Sequence, residues 1–250
     1  MSAQTPIRLF SSDLDGTLIG DPESTQRFRD YWDALPARDR PVLVYNSGRT
    51  IDDMRGLLRD DLLPRPDFLI GSVGTQLFDM ESDHMVGDFG REFRHGWDLS
   101  KVEEIVASLP DIEPQPPEFL HPYKSSWYLH HADAEHIAEL RARLAEAGVE
   151  ANVVYSSKRD LDVLPKFADK GHALKWLCGH IDLPLRAVAV AGDTGNDSAM
   201  FRLPDVRGVA VGNAHPDLLE AIDGLIVFRA SLEIADGVIE GLRHFGLVER

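Results

Sequence analysis

Hydrophobic residues are distributed along the chain in two alternating patterns. Short, nearly continuous apolar runs predict strands that are covered on both faces, as in a parallel sheet; examples are VLVY (42–45), FLI (68–70) and AVAVAG (187–192). Longer segments between them carry apolar residues three and four positions apart and predict amphipathic helices. Because strands and helices alternate, the pattern favours an α/β fold with a parallel sheet.

This alternation fills the first part of the chain and returns in the last third. The predicted strands span residues 7–14, 41–47, 67–74, 187–192, 208–212 and 224–228. The predicted helices span residues 23–35, 50–62, 170–181, 197–203, 215–222 and 231–248.

The middle of the chain breaks the alternation. It holds a proline-rich stretch (109–123), an amphipathic helix (133–148) and short strands that read as antiparallel, at 125–130, 151–156 and 161–165. We interpret it as an α+β insertion in the α/β domain. The expected domains are a core of residues 1–85 and 166–250 and an inserted unit of residues 86–165.

Charge narrows the classes of partner. The 250 residues carry 26 Lys and Arg against 42 Asp and Glu, which gives a formal net charge of −16. A surface of this sign disfavours nucleic acid and anionic membranes as partners. No apolar run reaches the roughly 18 residues of a membrane span, and the first residues lack a signal-peptide pattern. The single cysteine, Cys178, cannot form an internal disulfide, so we expect a cytoplasmic protein and a core position for Cys178.

Four aspartates follow two of the predicted strands. Asp13 and Asp15 end the first strand, and side chains two positions apart on a strand point to the same side. Asp193 ends the AVAVAG strand, and Asp197 follows four residues later. Since ligands of open α/β sheets bind at the carboxyl ends of strands, the four carboxylates predict an oxygen-rich site. Such a site suits Mg²⁺ together with a phosphate group.

Two further segments supply groups that attract an anion. Ser47, Gly48 and Arg49 follow the VLVY strand and offer a hydroxyl, backbone N–H groups and a guanidinium. Lys170 stands at the start of a predicted helix, where the ammonium and the helix N-terminus both favour negative charge. The ten histidines show no metal-type spacing and are expected on the surface or in loops.

These segments resemble the four ordered motifs of the haloacid dehalogenase-like phosphatases: DLDGT (13–17), NSGR (46–49), ADKGHAL (168–174) and GDTGND (192–197). The resemblance implies a doubly wound, mostly parallel sheet as the core. The insertion then corresponds to a cap domain between the second and third motifs. More narrowly, the chain resembles the sucrose-phosphate phosphatase family, which includes mannosylfructose-phosphate phosphatase-like members. This resemblance rests on HPYKSSWYLH, YSSKRDLDVLPKFADKG, AGDTGND and the final FRAS…GVIEGLRHFGLV.

The resemblance implies a mechanism that depends on Mg²⁺ and passes through an aspartyl phosphate. Asp13 is the implied nucleophile and Asp15 the general acid and base, which Thr17 orients. Ser47 and Lys170 are expected to hold the phosphate oxygens. The implied metal ligands are Asp13, the Asp15 backbone carbonyl and Asp193, with Asp197 in or next to the metal shell.

Selectivity is expected to come from the cap. The implied contacts to phosphate and sugar are Ser47, Gly48, Arg49, Gln76, Lys124, Lys158, Asp160, Asp162, Lys170 and Asn196. Trp97, Trp127 and Tyr128 read either as cap core or, for at least one of them, as part of the sugar site. The chain departs from the usual sucrose-phosphate phosphatase pattern at Gly16 (usually Asn), Ser47 (usually Thr) and Gln76 (near a usual Glu).

These departures leave the substrate open. Sucrose 6-phosphate, mannosylfructose phosphate and glucosyl- or mannosyl-glycerate phosphates all suit the pattern, and the glycosyltransferase that makes the substrate is a candidate partner. A phosphomutase or a general sugar-phosphate phosphatase could use the same core. A non-catalytic phosphosugar-binding partner of a glycosyltransferase is the alternative from another class, and intact Asp13 and Asp15 argue against it.

Overall fold

Two β-sheets organise the part of the chain that the computed structural model describes, residues 5–116 and 120–248. The ends of the predicted domains (1–4 and 249–250) and part of the proline-rich stretch (117–119) lie outside the described residues. The strands are β1 (Leu9–Ser12), β2 (Val42–Asn46), β3 (Phe68–Gly71), β4 (Gln76–Asp79), β5 (His84–Met85), β6 (Ile112–Pro114), β7 (Ser125–Leu129), β8 (Ala151–Ser156), β9 (Asp160–Pro165), β10 (Val188–Gly192), β11 (Arg207–Ala210) and β12 (Val227–Arg229). The helices are α1 (Pro22–Ala34), α2 (Ile51–Leu57), α3 (Leu99–Ala107), α4 (Ala134–Glu146), α5 (Lys170–His180), α6 (Ser198–Phe201), α7 (Pro216–Ala221) and α8 (Ile234–His244).

The larger sheet has the strand order β12-β11-β10-β1-β2-β3-β4-β5. Neighbours from β12 to β3 pair in parallel, whereas β4 and β5 add an antiparallel edge. The chain runs outward from β1 in one direction and later from β10 in the other. The prediction of a doubly wound, mostly parallel sheet is therefore confirmed, and the order reverses between β1 and β10.

Both faces of the larger sheet are covered, as the continuous apolar runs predicted. Phe10 of β1 packs against Phe28 and Trp32 of α1, with ring centroids 6.3 and 5.9 Å away. Its neighbour Leu9 points to the opposite face and joins a cluster formed with α5, α6 and α7, which includes the buried Cys178. Because adjacent strand residues face opposite ways, covering a strand on both sides favours apolar residues at successive positions, as at Leu9 and Phe10.

The smaller sheet has the antiparallel order β6-β7-β9-β8 and lies between β5 and β10 in the chain. Leu161 and Val163 of β9 pack against α3 and α4, whereas the alternate residues Asp160 and Asp162 face away from those helices, toward the core. This arrangement supports the expected cap, although its boundaries at 86 and 165 stay a prediction.

Helix α3 and strand β6 were not predicted from the sequence. Helix α3 has nine residues and buries only Val102 and Val106, so its apolar pattern is too short to predict a helix. Strand β6 ends at Pro114 and pairs only with β7, and proline is tolerated on such an edge strand. No helix among the described residues combines the length and the apolar character needed to cross a bilayer.

Candidate active site

The predicted site residues meet where three neighbouring strands end. Asp13, Ser47 and Asp193 directly follow β1, β2 and β10, which lie side by side in the sheet. Ser12 is in register with Tyr45 on one side and Ala191 on the other, so the three strands end at the same level. The carboxyl edge of the parallel strands therefore brings these side chains together, as expected for this fold class.

Three buried carboxylates form the centre of the site. Oxygen atoms of Asp13, Asp193 and Asp197 lie within 4.8 Å of one another. Burial raises the pKa of Asp13 to about 7, because it outweighs the opposing effect of the Lys170 ammonium, and Asp197 raises it further. Burial also raises the pKa of Asp193 to about 9, with contributions from the charges of Asp13 and Asp197.

One buried ammonium compensates part of this charge. The Lys170 Nζ atom donates hydrogen bonds to Asp13 Oδ1 at 2.7 Å and to Asp197 Oδ1 at 2.6 Å. Burial alone would lower the lysine pKa, but these two carboxylates raise it above its usual value, so Lys170 is charged. Lys170 begins α5, where the side chain of Asp169 accepts the His172 N–H at 2.6 Å and caps the helix.

The remaining charge fits a small divalent cation. Three carboxylates face one ammonium, so full ionisation leaves two negative charges in a buried space. Asp197 already uses Oδ1 for Lys170 and Oδ2 for the N–H groups of Asp193 and Thr194. Oxygen atoms of Asp13 and Asp193 are therefore the better placed to bind a metal, whereas the contacts of Asp197 position its neighbours.

The hydroxyl of Thr17 has a different partner from the one expected. It donates to Asp193 Oδ1 at 3.2 Å, and Thr17 is fully buried. Gly16, at φ +78°, turns the chain between Asp15 and Thr17. As a result Asp15 points outward while Thr17 points into the carboxylate cluster, and the expectation that Thr17 orients Asp15 stays a prediction.

Arg49 pairs with Asp15 instead. Its Nε and Nη2 atoms each lie 2.7 Å from a carboxylate oxygen of Asp15, and its Nη1 atom donates to Asp53 at 2.6 Å. This two-pronged contact fixes the orientation of the Asp15 carboxylate at the mouth of the site. Sequence reasoning missed Asp53, although its position four residues after Arg49 favours an ion pair.

A left-handed turn after β3 supports the loop that carries Ser47 and Arg49. Ser72, Val73 and Gly74 have φ values of 50°, 54° and 88°. The Val73 N–H donates to the Ser47 carbonyl at 3.1 Å, and the Ser72 N–H donates to the Arg49 carbonyl at 2.7 Å. Non-glycine residues are unfavourable in this conformation, so the turn holds the loop at some cost in strain.

Gln76 contributes to the same support. Its Oε1 atom accepts the Ile51 N–H at 3.2 Å and the Ser72 hydroxyl at 2.9 Å. These bonds engage one of the two polar atoms of the side chain, so the expectation that Gln76 contacts sugar stays a prediction.

The smaller sheet closes over the carboxylates and leaves a cavity of about 370 Å³. Ten of the predicted site residues line it: Asp13, Asp15, Ser47, Gly48, Arg49, Lys124, Asp160, Asp162, Asp193 and Asn196. Lys170, Asp197 and Thr17 are buried beneath it. Lys158 is exposed at the turn between β8 and β9 and is not among the described lining residues, so its contact with sugar stays a prediction.

Sequence reasoning missed or left open several lining residues. Tyr128 lines the cavity, whereas Trp97 and Trp127 pack against the cap core. The lining also includes Gln115, Ser156, Ser157, Arg159, Thr194 and His215. The strand-end rule could have found His215, which lies beyond β11, whereas Gln115 lies in a proline-rich stretch without a readable pattern.

Lys124 joins the cap to the core inside the cavity. Its Nζ atom donates to the Gly48 carbonyl at 3.3 Å and lies 3.4 Å from Asp162 Oδ1. Asp162 also accepts the Ser126 hydroxyl at 2.6 Å. Since Lys124 is 3% exposed, these contacts hold a charge that has little access to water.

The doubly wound sheet, its inserted cap and the carboxylate site define a haloacid dehalogenase-like phosphatase. The structure is similar to the sucrose-phosphatase of Synechocystis sp. PCC6803 in complex with sucrose and phosphate. The TM-score is 0.88 at 29% sequence identity, and the match covers 97% of this chain and 99% of that chain.

The chain belongs to the sucrose-6F-phosphate phosphohydrolase family, whose family model matches residues 6–246. It is 49% identical over 246 residues to the mannosylfructose-phosphate phosphatase of Agrobacterium fabrum (strain C58 / ATCC 33970), covering 98% of this chain and 99% of that protein. It is 34% identical to probable sucrose-phosphatase 2 of Arabidopsis thaliana over 97% of this chain, but spans only 60% of the length of that relative. The prediction of a phosphoric monoester hydrolase acting on sugar phosphates is confirmed.

Proposed function

We propose that the chain hydrolyses a phosphorylated fructose-containing disaccharide, with mannosylfructose phosphate as the first substrate to test. The observation that carries the proposal is the Asp13, Asp193 and Asp197 cluster beneath a polar cavity that the cap closes. The cluster suits phosphoryl transfer, and the cavity offers hydrogen-bonding groups for a polyhydroxylated ligand. The 49% identical mannosylfructose-phosphate phosphatase, matched over 99% of its length, favours mannosylfructose phosphate over sucrose 6-phosphate.

Asp13 is the proposed nucleophile. Lys170 holds its Oδ1 atom, which leaves Oδ2 to attack phosphorus. The P–O bond to the sugar breaks as the Asp13–phosphorus bond forms, and Asp15 donates a proton to the departing sugar oxygen. Asp15 then takes a proton from the water that hydrolyses the aspartyl phosphate, which releases phosphate and restores Asp13.

Mg²⁺ is the proposed cofactor, held by Asp13, Asp193 and the Asp15 backbone carbonyl, with Asp197 beside it. When bound, it neutralises charge on the transferring phosphoryl group. Asp197 orients Lys170 and the Asp193–Thr194 backbone through the contacts described above.

The phosphate oxygens are proposed to bind the Ser47 hydroxyl, the Gly48 backbone and the Asn196 side chain. They are also proposed to accept the third N–H of Lys170, whose other two N–H groups donate to Asp13 and Asp197. Arg49 lies at the mouth of the same region. The sugar is proposed to contact cap groups that line the cavity: Gln115, Lys124, Tyr128, Arg159, Asp160 and Asp162. Carboxylates and cations together suit vicinal hydroxyls, and Tyr128 adds an apolar face.

A cytoplasmic glycosyltransferase that makes the disaccharide phosphate is the proposed partner in metabolism. The support is chemical, because a phosphorylated disaccharide arises by glycosyl transfer to a sugar phosphate. The buried Cys178 is the one cysteine in the sequence, which agrees with a reducing compartment.

Steady-state kinetics with detection of free phosphate tests the proposal. The panel contains mannosylfructose phosphate, sucrose 6-phosphate, glucosylglycerate phosphate, glucose 6-phosphate and fructose 6-phosphate, each with Mg²⁺ and with EDTA. We expect kcat/KM for a disaccharide phosphate to exceed the hexose phosphate values by about 100-fold and activity to require Mg²⁺. Equal values across the panel would indicate a general sugar-phosphate phosphatase, and binding without turnover would indicate a phosphosugar-binding partner.

A further inference from the structure

The turn between β8 and β9 reaches from the cap to the core. Ser157 and Lys158 have φ values of 54° and 53°, and the Arg159 N–H closes the turn by donating to the Ser156 carbonyl at 3.1 Å. Ser156 pairs with Asp160, so the hairpin loop has three residues, and its left-handed conformation is unfavourable for residues with a side chain. A contact from outside the hairpin would offset part of this cost.

Asp217 provides such a contact. Its Oδ2 atom accepts the backbone N–H of Ser157 at 3.1 Å, across 60 residues of sequence. A Cβ atom at Gly195 would lie 2.9 Å from the same oxygen, so the glycine leaves room for the Asp217 carboxylate. Strand β8 also packs against residues 195–197, which places the hairpin directly on the loop that carries Asp197.

The segment that carries Asp217 is hydrogen-bonded to the carboxylate site. Asp217 lies in the first turn of α7, and His215 precedes that helix. The His215 N–H donates to the Asp193 carbonyl at 2.7 Å. On the cap side, Ser156, Arg159 and Asp160 flank the turn and line the cavity. The Ser157–Asp217 hydrogen bond therefore connects the segment that follows Asp193 to the cap groups around the ligand space.

We propose that Asp217 is a positioning residue that holds the β8–β9 hairpin over the cavity and thereby sets the affinity for the second sugar of the substrate. It acts through the Ser157 backbone and through Arg159 and Asp160, and it does not line the cavity among the described residues. The effect on affinity for the second sugar rests on the proposed function, whereas the contact between Asp217 and Ser157 does not.

The test uses the full chain with D217L, which removes the acceptor, and D217N, whose amide oxygen can still accept the Ser157 N–H. D223L is the matched control, because Asp223 follows α7 and forms only a 3.6 Å ion pair with Arg229 among the described contacts. Amide hydrogen exchange of peptides covering 152–160 reports the hairpin. Kinetics compare mannosylfructose phosphate with p-nitrophenyl phosphate, which has no second sugar.

We expect D217L to speed exchange in 152–160 at least about fivefold and to lower kcat/KM for mannosylfructose phosphate about tenfold, mainly through KM. The p-nitrophenyl phosphate values should change by less than about twofold, and D217N should lie between D217L and the wild type. If D217L fails to fold, as judged by thermal unfolding, D217N takes its place with a smaller shift in the same direction. If D217L matches D223L in exchange and KM, or lowers both substrates equally, the proposal is overturned.

Should the wild type hydrolyse p-nitrophenyl phosphate but no disaccharide phosphate, the proposed substrate is wrong. The exchange measurement then decides the role of Asp217 alone.

Discussion

The Nζ atom of Lys170 lies 2.7 Å from Oδ1 of Asp13, although 157 positions separate the two residues in the chain. The pair is buried, and Asp197 lies on the other side of the same ammonium at 2.6 Å. Breaking a buried pair leaves an uncompensated charge, so both the fold and the nucleophile depend on this contact.

Replacing Lys170 by Met tests that dependence. We expect K170M to lose about 3 kcal/mol of unfolding free energy and at least about 100-fold in kcat, because two carboxylates lose their cation. Urea unfolding and phosphate release measure the two effects. K175M is the control, because Lys175 is exposed on the same helix. Wild-type stability and rate in K170M would contradict the assigned role.

Replacing Asp13 by Asn tests the nucleophile. The amide is nearly the same shape and can still accept from Lys170, so we expect the melting temperature to stay within a few degrees. Turnover should fall by at least about 1,000-fold, because an amide oxygen is a poor nucleophile. Phosphate release and thermal unfolding are measured beside D205N, a change at an exposed position. If D13N retains turnover, another group is the nucleophile.

Gly16 is expected to tolerate no side chain. A Cβ atom there would lie 2.2 Å from Asp193 Oδ2, and the backbone has φ +78°. G16A should therefore displace Asp193 and raise the Mg²⁺ concentration needed for half-maximal activity by at least about tenfold. G148A is the control that carries the backbone strain without the contact, since Gly148 has φ +75° but nothing lies within 4 Å of its Cβ position. Equal Mg²⁺ dependence in G16A and G148A would show that the contact with Asp193 is unimportant.

We expect catalysis to depend on the guanidinium group of Arg49. Lysine keeps the charge but cannot contact both oxygens of Asp15 and also Asp53, so R49K should lower kcat/KM by about tenfold or more. R55K is the matched control on α2, where Arg55 pairs with Asp83 on the surface. Similar kinetics in R49K and R55K would mean that Asp15 does not depend on Arg49.

The effect of Mg²⁺ on stability should grow with pH. The folded-state pKa values of about 7 for Asp13 and about 9 for Asp193 lie above the ordinary value of 3.8. Their protonated forms stabilise the metal-free fold at low pH, and this contribution is lost as pH rises through those values. Mg²⁺ binds the ionised carboxylates, so its addition should raise the melting temperature more at pH 9 than at pH 6. Scanning calorimetry at matched ionic strength measures this, and a shift that is largest at pH 6 would contradict it.

Several features could be predicted from local sequence patterns. Strands β1, β2 and β10 were readable because strands covered on both faces need continuous apolar residues. The positions of Asp13, Ser47 and Asp193 could be predicted because each directly follows one of those strands. The position of Lys170 could be predicted from the start of α5. The parallel arrangement then requires that they meet at one edge of the sheet.

Other features depend on contacts between distant segments. Gln76 reads as a polar residue near the site, yet the left-handed turn at Ser72–Gly74 directs its side chain to the backbone at Ile51. Thr17 contacts Asp193 and not Asp15, because the backbone at Gly16 reverses the direction of successive side chains. Neither result follows from the type or spacing of these residues.

The sequence by itself determined the class of fold, the position of the cap and the residues at the strand ends, because hydrophobic periodicity and strand direction are local properties. Only the tertiary structure decided that Arg49 holds Asp15, that Tyr128 faces the cavity and that Asp217 holds the Ser157 turn. Those relationships join segments that lie far apart in the chain, and contacts of this kind leave no periodic signal in the sequence.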